Sequence, residues 1–519
     1  MISLQNWSAL RHIPRPLRSY NDEDKKEWSE GERMLLSSLV KQTALRSAVL
    51  VIGKGIGLAG RVAITRMLGA EGIGLYQIAY SFFGMALMVI SGGLPTTLAL
   101  FTAKQTDRGW RVFQLLSVYT ALIGMGLAFW TQYYANNIAV LIGNVELAWA
   151  LRALAPALIA VPLLQLARGY MQGIRSYEAI SLSELTEQAV RITVLITFVS
   201  LYAAQGVGRA IGYGLYGTTI AAIAAFLFLT IYASSTRRAA IMITYSPLSK
   251  EGLGLFLRSS FVIGCTRMLV PLSDFIDSIL IPNRLQAAGY SISDSIAMYG
   301  IITGMAAVIV YMPTMITASV SYTVTMKIAA KHEAGMESGR DIERILRFVW
   351  TWGIISGLFI FLYAKEAAIL LFGVEAAAEP IRYLSAIPLI VGLRELTTSI
   401  LWAQDRKRIP LTGLALGIGL SVLLQFVIVA IPGFGYRGAA IGILLMETVA
   451  VLWNLHALRN ANVTLFTIKW VGWDLILFSC IMFVLISPFI KEGQLTLIVL
   501  SALFYWISAA FLIAIRYRK

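Results

Sequence analysis

Apolar residues in this chain come in runs long enough to cross a bilayer, and the pattern recurs along its whole length. Leu411 to Ile431 is one such run and contains no charged residue. A helix rises 1.5 Å per residue, so roughly 20 apolar residues cross a ~30 Å hydrocarbon core. A window of that length finds fourteen candidate helices, at 44–68, 72–102, 112–134, 147–170, 184–204, 211–234, 255–281, 296–326, 348–372, 380–402, 411–431, 436–458, 470–490 and 494–515. Composition agrees: 58% of the 519 residues are hydrophobic, 14% are charged, and the mean hydropathy is +0.73. A soluble domain carries roughly 25% charge. A cytosolic enzyme, a secreted disulfide scaffold and a disordered chain are excluded. The apolar residues do not alternate, which argues against a transmembrane β-barrel.

The net charge of +15 would suggest nucleic acid in a soluble protein. Here the excess is read as cationic residues flanking cytoplasmic helix ends. With the N-terminus inside, and helix-end residues assigned to the adjoining loop, 29 Lys and Arg fall on the inner side and 6 on the outer. That asymmetry supports fourteen spans with both termini cytoplasmic. It also keeps the first span, which contains Arg46, Lys54 and Arg61. Cys265 and Cys480 lie in apolar runs, and His12, His332 and His456 are scattered, so neither a disulfide nor a metal site is expected. The mixed charges of Asn21 to Glu27 are unlike a signal peptide. Short connections leave no room for an extramembrane catalytic domain.

The chain also repeats itself. Leu94-Pro95-Thr96 returns as Met312-Pro313-Thr314, an offset of 218. Gln172, after span 4, returns as Gln404, after span 10, an offset of 232. Gly212 to Gly217 returns as Gly433 to Gly438, an offset of 221, and Lys54 and Arg61 of span 1 match Arg267 and Asp274 of span 7, an offset of 213. Each repeat has six spans, an even number, so both enter the membrane in the same sense. Such parallel repeats characterise transporters. The expected organisation is a tail at 1–43, a six-helix bundle at 44–234, a cytoplasmic linker at 235–254, a second bundle at 255–458, and a helix pair with the C-terminus at 459–519.

Eight cations lie within spans: Arg46, Lys54, Arg61, Arg152, Arg191, Arg267, Arg382 and Arg394. Each costs roughly 2.5–3.5 kcal/mol at mid-helix unless it reaches water or a partner. Arg46, Arg152 and Arg382 sit near helix ends and can snorkel. Arg191 follows Glu187 by four residues and can pair with it, or the two can take part in ion coupling. Arg394 has no evident partner. Lys54 and Arg61 share one face of span 1, two turns apart, with no acid on that helix. The stretch between them is glycine-rich, so the helix is thin there and prone to bend. Together with Arg267 they would line a central cationic cavity suited to a phosphate or diphosphate. Asp274 and Asp277 share a face of span 7 and could pair with Arg267 or Arg61, or bind a coupling cation. Pro95, Pro271 and Pro313 mark kinks or bending points in spans 2, 7 and 8.

Arg61 to Tyr76, Asp277 to Gly289 and Arg168-Gly169-Tyr170-Met171-Gln172-Gly173 resemble stretches of the stage V sporulation protein B family. That family belongs to the multidrug/oligosaccharidyl-lipid/polysaccharide (MOP) exporters, alongside MurJ-type lipid II flippases. The resemblance spans residues 44 to 515. It implies two six-helix bundles in a V that open alternately to each side, and a lipid-linked glycan substrate. In the sporulation branch it implies a part in spore-cortex peptidoglycan synthesis. It also implies functional cavity arginines, with Arg61 at one such position and Arg267 at another. Lys54 stands where arginine is usual.

The reading is therefore an all-α integral membrane protein of about fourteen helices, acting as a flippase for a lipid II-like undecaprenyl-diphosphate glycan in the cytoplasmic membrane. It is expected to be no enzyme, to need no cofactor or metal beyond an unidentified coupling ion, and to be monomeric. Its partners would be the glycan lipid, membrane lipids and cell-wall synthesis enzymes, not nucleic acid. No Gly-x-x-x-x-Gly-Lys-Ser/Thr run occurs, so ATP is not the expected energy source. The alternatives are a drug or cation antiporter of the same superfamily, a capsule or exopolysaccharide repeat-unit exporter, and an integral membrane glycan polymerase or ligase.

Overall fold

A computed structural model describes residues 30–235, 250–333, 339–459, 472–491 and 493–517. The tail up to residue 29 and most of the 235–254 linker lie outside the described residues. Among the described residues every regular element is helical. The chain divides into two compact units: Met1–Ala63 with Ala79–Phe275, and Ile64–Ile78 with Ile276–Lys519.

The first unit is built on α1 (Glu30–Ser91), α2 (Leu94–Lys104), α3 (Thr106–Ile142), α4 (Leu147–Leu154), α5 (Ala157–Gly173), α6 (Tyr177–Tyr202), α7 (Val207–Ser235) and the start of α8 (Lys250–Ala287). The one residue with non-helical backbone in α1 is Gly69 (φ 69°, ψ −167°). This is a conformation only glycine adopts cheaply. The break therefore falls at Gly69 and not in the glycine-rich stretch of Gly53 to Gly60, where sequence suggested a bend. Helix α3 ends at Gly143, whose left-handed φ of 104° lets its N–H reach the Ala139 and Val140 carbonyls. Helix α5 is central, packing on α2, α3 and α7.

The second unit comprises the rest of α8, then α9 (Ile292–Tyr299), α10 (Ala307–Tyr311), α11 (Thr314–Glu333), α12 (Gly339–Leu362), α13 (Ala364–Ala367), α14 (Ala378–Tyr383), α15 (Ile387–Ala403), α16 (Arg408–Ile428), α17 (Gly435–Arg459), α18 (Trp473–Lys491) and α19 (Leu495–Tyr517). A π-helical turn, Gly300–Ala306, joins α9 to α10. Ser291 caps α9: its hydroxyl oxygen accepts from the Asp294 N–H at 3.1 Å. Helix α15 is central, packing on α11, α12 and α17. Helices α18 and α19 join α12 through a core of Ile355, Tyr363, Phe478 and Tyr505, where the Tyr505 hydroxyl donates to the Ile355 carbonyl at 2.6 Å.

The division between the units does not fall in the 235–254 linker. It runs inside two helices whose ends have different packing partners. The first part of α8 sets Phe256 against Phe101 and Phe275 against Phe82. Its last part sets Arg284 over the Phe426 ring at 4.2 Å. Residues 64–78 pack into the second unit. A Cβ on Gly74 would lie 2.2 Å from the Ile296 carbonyl oxygen, so these backbones meet directly. Relative to the repeat, 64–78 and 255–275 are exchanged.

Structure sharpens the repeat. Helices α4 and α5 form a broken pair bent by 43°, and α14 and α15 one bent by 45°. The turn after α5 is closed by Ile174 N–H to Tyr170 O, Arg175 N–H to Gln172 O and Ser176 N–H to Met171 O. The turn after α15 has the same three bonds, from Gln404 to Ile400, Asp405 to Trp402 and Arg406 to Leu401. Every equivalence here is 230 residues, two fewer than the glutamine match suggests. Arg175 (φ 61°) and Asp405 (φ 60°) occupy equivalent left-handed positions.

Among the described residues, eleven helices are long and apolar enough to cross a membrane, or thirteen if each bent pair is one span. The first candidate, Ile52–Lys104, has 53 residues. At 1.5 Å each that is ~80 Å, more than two bilayer cores, and it carries the Gly69 break. The total is compatible with fourteen crossings. The outer surface is oily in the same sense: Val118, Leu122, Met125, Phe129 and Tyr133 of α3 are all exposed. Their spacing of three to four places them on one face, which water would not tolerate and lipid does. This is a multi-pass membrane protein.

Candidate substrate-binding site

Six of the charged residues singled out from sequence belong to the first unit: Lys54, Arg61, Glu187, Arg191, Arg267 and Asp274. Asp277 belongs to the second unit. Helix α1 packs on α6 through glycine. A Cβ on Gly53 would touch Gln188 at 3.8 Å, and one on Gly60 would collide with Ile192 at 2.5 Å. Gly53 and Gly60 are seven apart, so the stripe facing α6 runs two turns. Lys54 and Arg61 each lie one residue on, about 100° around the helix. The glycine stripe thus fixes where the two cations point.

Lys54 and Arg267 are exposed and Arg61 is half-buried. None of the three has a hydrogen bond or ion pair among the described residues. On α8, Arg267, Val270 and Asp274 share one exposed face at spacings of three and four. Asp277 is partly buried, and both aspartates have interactions of their own. Lys54, Arg61 and Arg267 are thus three helix-borne cations without a carboxylate partner among the described residues, and each can attract an anion. Two of them are guanidinium groups able to grip a phosphate with two parallel hydrogen bonds.

Glu187 is differently placed. Arg191, one turn on, lies 3.6 Å from its Oε1, and Arg168 of α5 donates to its Oε2 at 2.7 Å. The Nε of Arg168 donates to the Ser183 hydroxyl at 2.9 Å. One carboxylate thus serves two guanidinium groups across α5 and α6. Pairing rules based on spacing see neighbours on one helix and so miss Arg168, which lies near the end of span 4.

In the second unit, Arg394 of α15 donates through Nε to Glu447 of α17, whose side chain is 4% exposed. The Tyr311 hydroxyl donates to the other carboxylate oxygen at 3.4 Å. The signal in the sequence is the one acid of span 12 and a mid-span cation of span 10 with no acid three or four residues away: such opposite charges in hydrocarbon find each other.

Of the three prolines, Pro95 opens α2 in its first turn, just after the Gly92-Gly93 break, and Pro313 sits between α10 and α11. Both occupy places where a missing N–H is harmless. Pro271 lies inside α8, which continues unbroken through it. Among the described residues no group of three or more His, Cys, Asp or Glu could hold a metal ion.

Solved structures place this architecture in a class. A lipid II flippase MurJ in an inward closed conformation matches with a TM-score of 0.70 at 14% identity, over 92% of this chain and 99% of that one. An inward-facing multidrug resistance MATE family transporter of the MOP superfamily matches with a TM-score of 0.63 at 17% identity, over 81% and 99%. The fold is that of the MOP superfamily.

Within that class the chain belongs to the polysaccharide biosynthesis protein family, whose model matches residues 39–299. Stage V sporulation protein B of Bacillus subtilis (strain 168) is 24% identical over 451 residues, 83% of this chain and 86% of that protein. Lipid II flippase MurJ of the same organism is 21% identical over 425 residues, 75% and 77%.

Proposed function

We propose that this protein is a flippase that carries a lipid-linked oligosaccharide, of the undecaprenyl-diphosphate glycan class, across the cytoplasmic membrane. One observation carries the reading: Lys54, Arg61 and Arg267 lie in helices that cross hydrocarbon, yet no described residue pairs with them. Cations within such helices and without protein partners call for water around them and can receive an acidic group. A diphosphate supplies two phosphates for two guanidinium groups and an ammonium. The prenyl tail need never leave the lipid, because only the headgroup has to cross. Membership of a polysaccharide biosynthesis family, and relatives named as a lipid II flippase and a sporulation protein, support a glycan cargo for cell-wall or spore-cortex peptidoglycan.

Exposing these cations to each side in turn would pick up the headgroup at the cytoplasmic face and release it outside. Asp274 and Asp277, on the helix that carries Arg267, are the groups placed to bind a coupling cation. Both termini then lie in the cytoplasm, the side that the charge asymmetry of the loops favours.

The test is translocation of lipid II in proteoliposomes by Arg61→Ala and Arg267→Ala, each checked for wild-type thermal stability. A loss of at least tenfold in both is expected. Wild-type rates in both would refute the role of these residues, and failure of the wild-type protein to move any undecaprenyl-diphosphate glycan would refute the substrate class.

A further inference from the structure

Helices α3, α5 and α7 enclose a cavity of about 250 Å³ in the first unit. In the orientation that the loop charges favour, it lies at the helix ends that carry the inner loops. Tyr170, Met171 and Leu229 form a buried floor, and half-buried Trp110 and Tyr232 stand at its edge. Lys54, Arg61 and Arg267 take no part in it. Its walls are almost wholly apolar, and an apolar cavity of ~150 Å³ already holds benzene. This one is large enough for a stretch of hydrocarbon chain.

Two features ask for more than hydrocarbon. Tyr170 is only 3% exposed, and its hydroxyl has no hydrogen-bond partner among the described residues. Buried phenols normally find an acceptor. The second is Arg175. It lies between Ile174 and Ser176, which both line the cavity, and it is exposed with a left-handed φ of 61°. The matching turn of the second unit holds Asp405 in the same conformation. Aspartate suits that conformation and arginine does not, so the turn itself gives no reason for arginine. Exposed Arg111, next to Trp110, adds a second positive charge.

We propose that this cavity is a binding site for an anionic phospholipid of the inner leaflet. One acyl chain lies along the apolar floor. An ester carbonyl accepts the Tyr170 hydroxyl. The phosphate rests on Arg175 and Arg111 at the rim, while aromatic residues hold the interfacial level. The chemistry combines three demands: an oily tail, an acceptor at intermediate depth, and a negative group outside.

The experiment is native mass spectrometry of the full chain titrated with phosphatidylglycerol or phosphatidylcholine, followed by photo-crosslinking with phosphatidylglycerol bearing a photoreactive acyl chain. Phosphatidylglycerol should be retained at least fivefold better, with crosslinks on α5 and α7. Arg175→Gln should abolish the preference, and Tyr170→Phe, which keeps the shape of the ring, should weaken retention two- to fivefold with unchanged thermal stability. Equal retention of both lipids, or crosslinks only on other helices, overturns the proposal. So does displacement of the crosslinker by undecaprenyl phosphate, which would make the cavity a seat for the substrate tail. Rapid, complete disulfide formation between Ile241→Cys and Met171→Cys in lipid-bound protein would show that the chain's own 239–243 segment fills the space, and would overturn it equally.

Discussion

Replacing Glu447 with methionine would leave the Arg394 guanidinium inside the second unit with no carboxylate to receive its Nε–H. Removing one partner of a buried pair costs about 3–5 kcal/mol. The Arg394 side chain keeps 20% of its exposure, which favours the lower end, about 3 kcal/mol. The reverse change, Arg394→Met, should cost less, about 1–2 kcal/mol, because an abandoned carboxyl can take up a proton whereas an abandoned guanidinium cannot shed one. The double methionine variant should return close to wild type, since two apolar side chains need no partner. For a unit of this size 1 kcal/mol moves Tm by about 2–4 °C, so Glu447→Met should unfold about 6–12 °C early. Thermal unfolding of all four proteins in one detergent gives the cycle directly. An Arg394→Met variant as damaged as Glu447→Met, or a double variant no better than the worse single one, would refute the argument.

Arg168→Lys should lower Tm by a few degrees in the same assay, because an ammonium lacks the planar fork that spans Glu187 and Ser183. Gly300→Ala should destabilise by about 1–3 kcal/mol, since the added Cβ would sit 2.5 Å from the Ala70 carbonyl oxygen and Gly74 nitrogen. An unchanged Tm would mean that those backbones do not meet. Tyr505→Phe should cost about 1 kcal/mol by removing the 2.6 Å hydrogen bond to Ile355, and a Tm within error of wild type would count against that bond.

Much of the architecture was legible because lipid imposes a simple grammar: every crossing must be a long apolar helix. The repeat was legible for the same reason, yet the register at spans 4 and 10 was off by two. Identical glutamines drew the alignment, while the backbone pattern after Gly173 and Ala403 fixes the true offset. The bends before α5 and α15 stayed hidden inside continuous hydropathy, although Pro156 and Pro388 stand at them. Charge partners were half legible. Glu187 and Arg191 are neighbours on one helix and can be read by spacing, whereas Arg168 with Glu187 and Arg394 with Glu447 meet only through helix packing. No one-dimensional period encodes such meetings. Arg175 is inconspicuous in the sequence because arginine is common in the inner loops of membrane proteins; its left-handed backbone is what sets it apart.

Residues 64–78 pack with a unit that otherwise begins some two hundred positions downstream. During synthesis that segment emerges early and must wait for Ile296 and Gly300 to be made before its own glycines are covered. A ribosome halfway through the message therefore carries an unfinished first half, open at one seam. Severed after residue 235, neither fragment should hold its shape alone, whereas the two made together should knit.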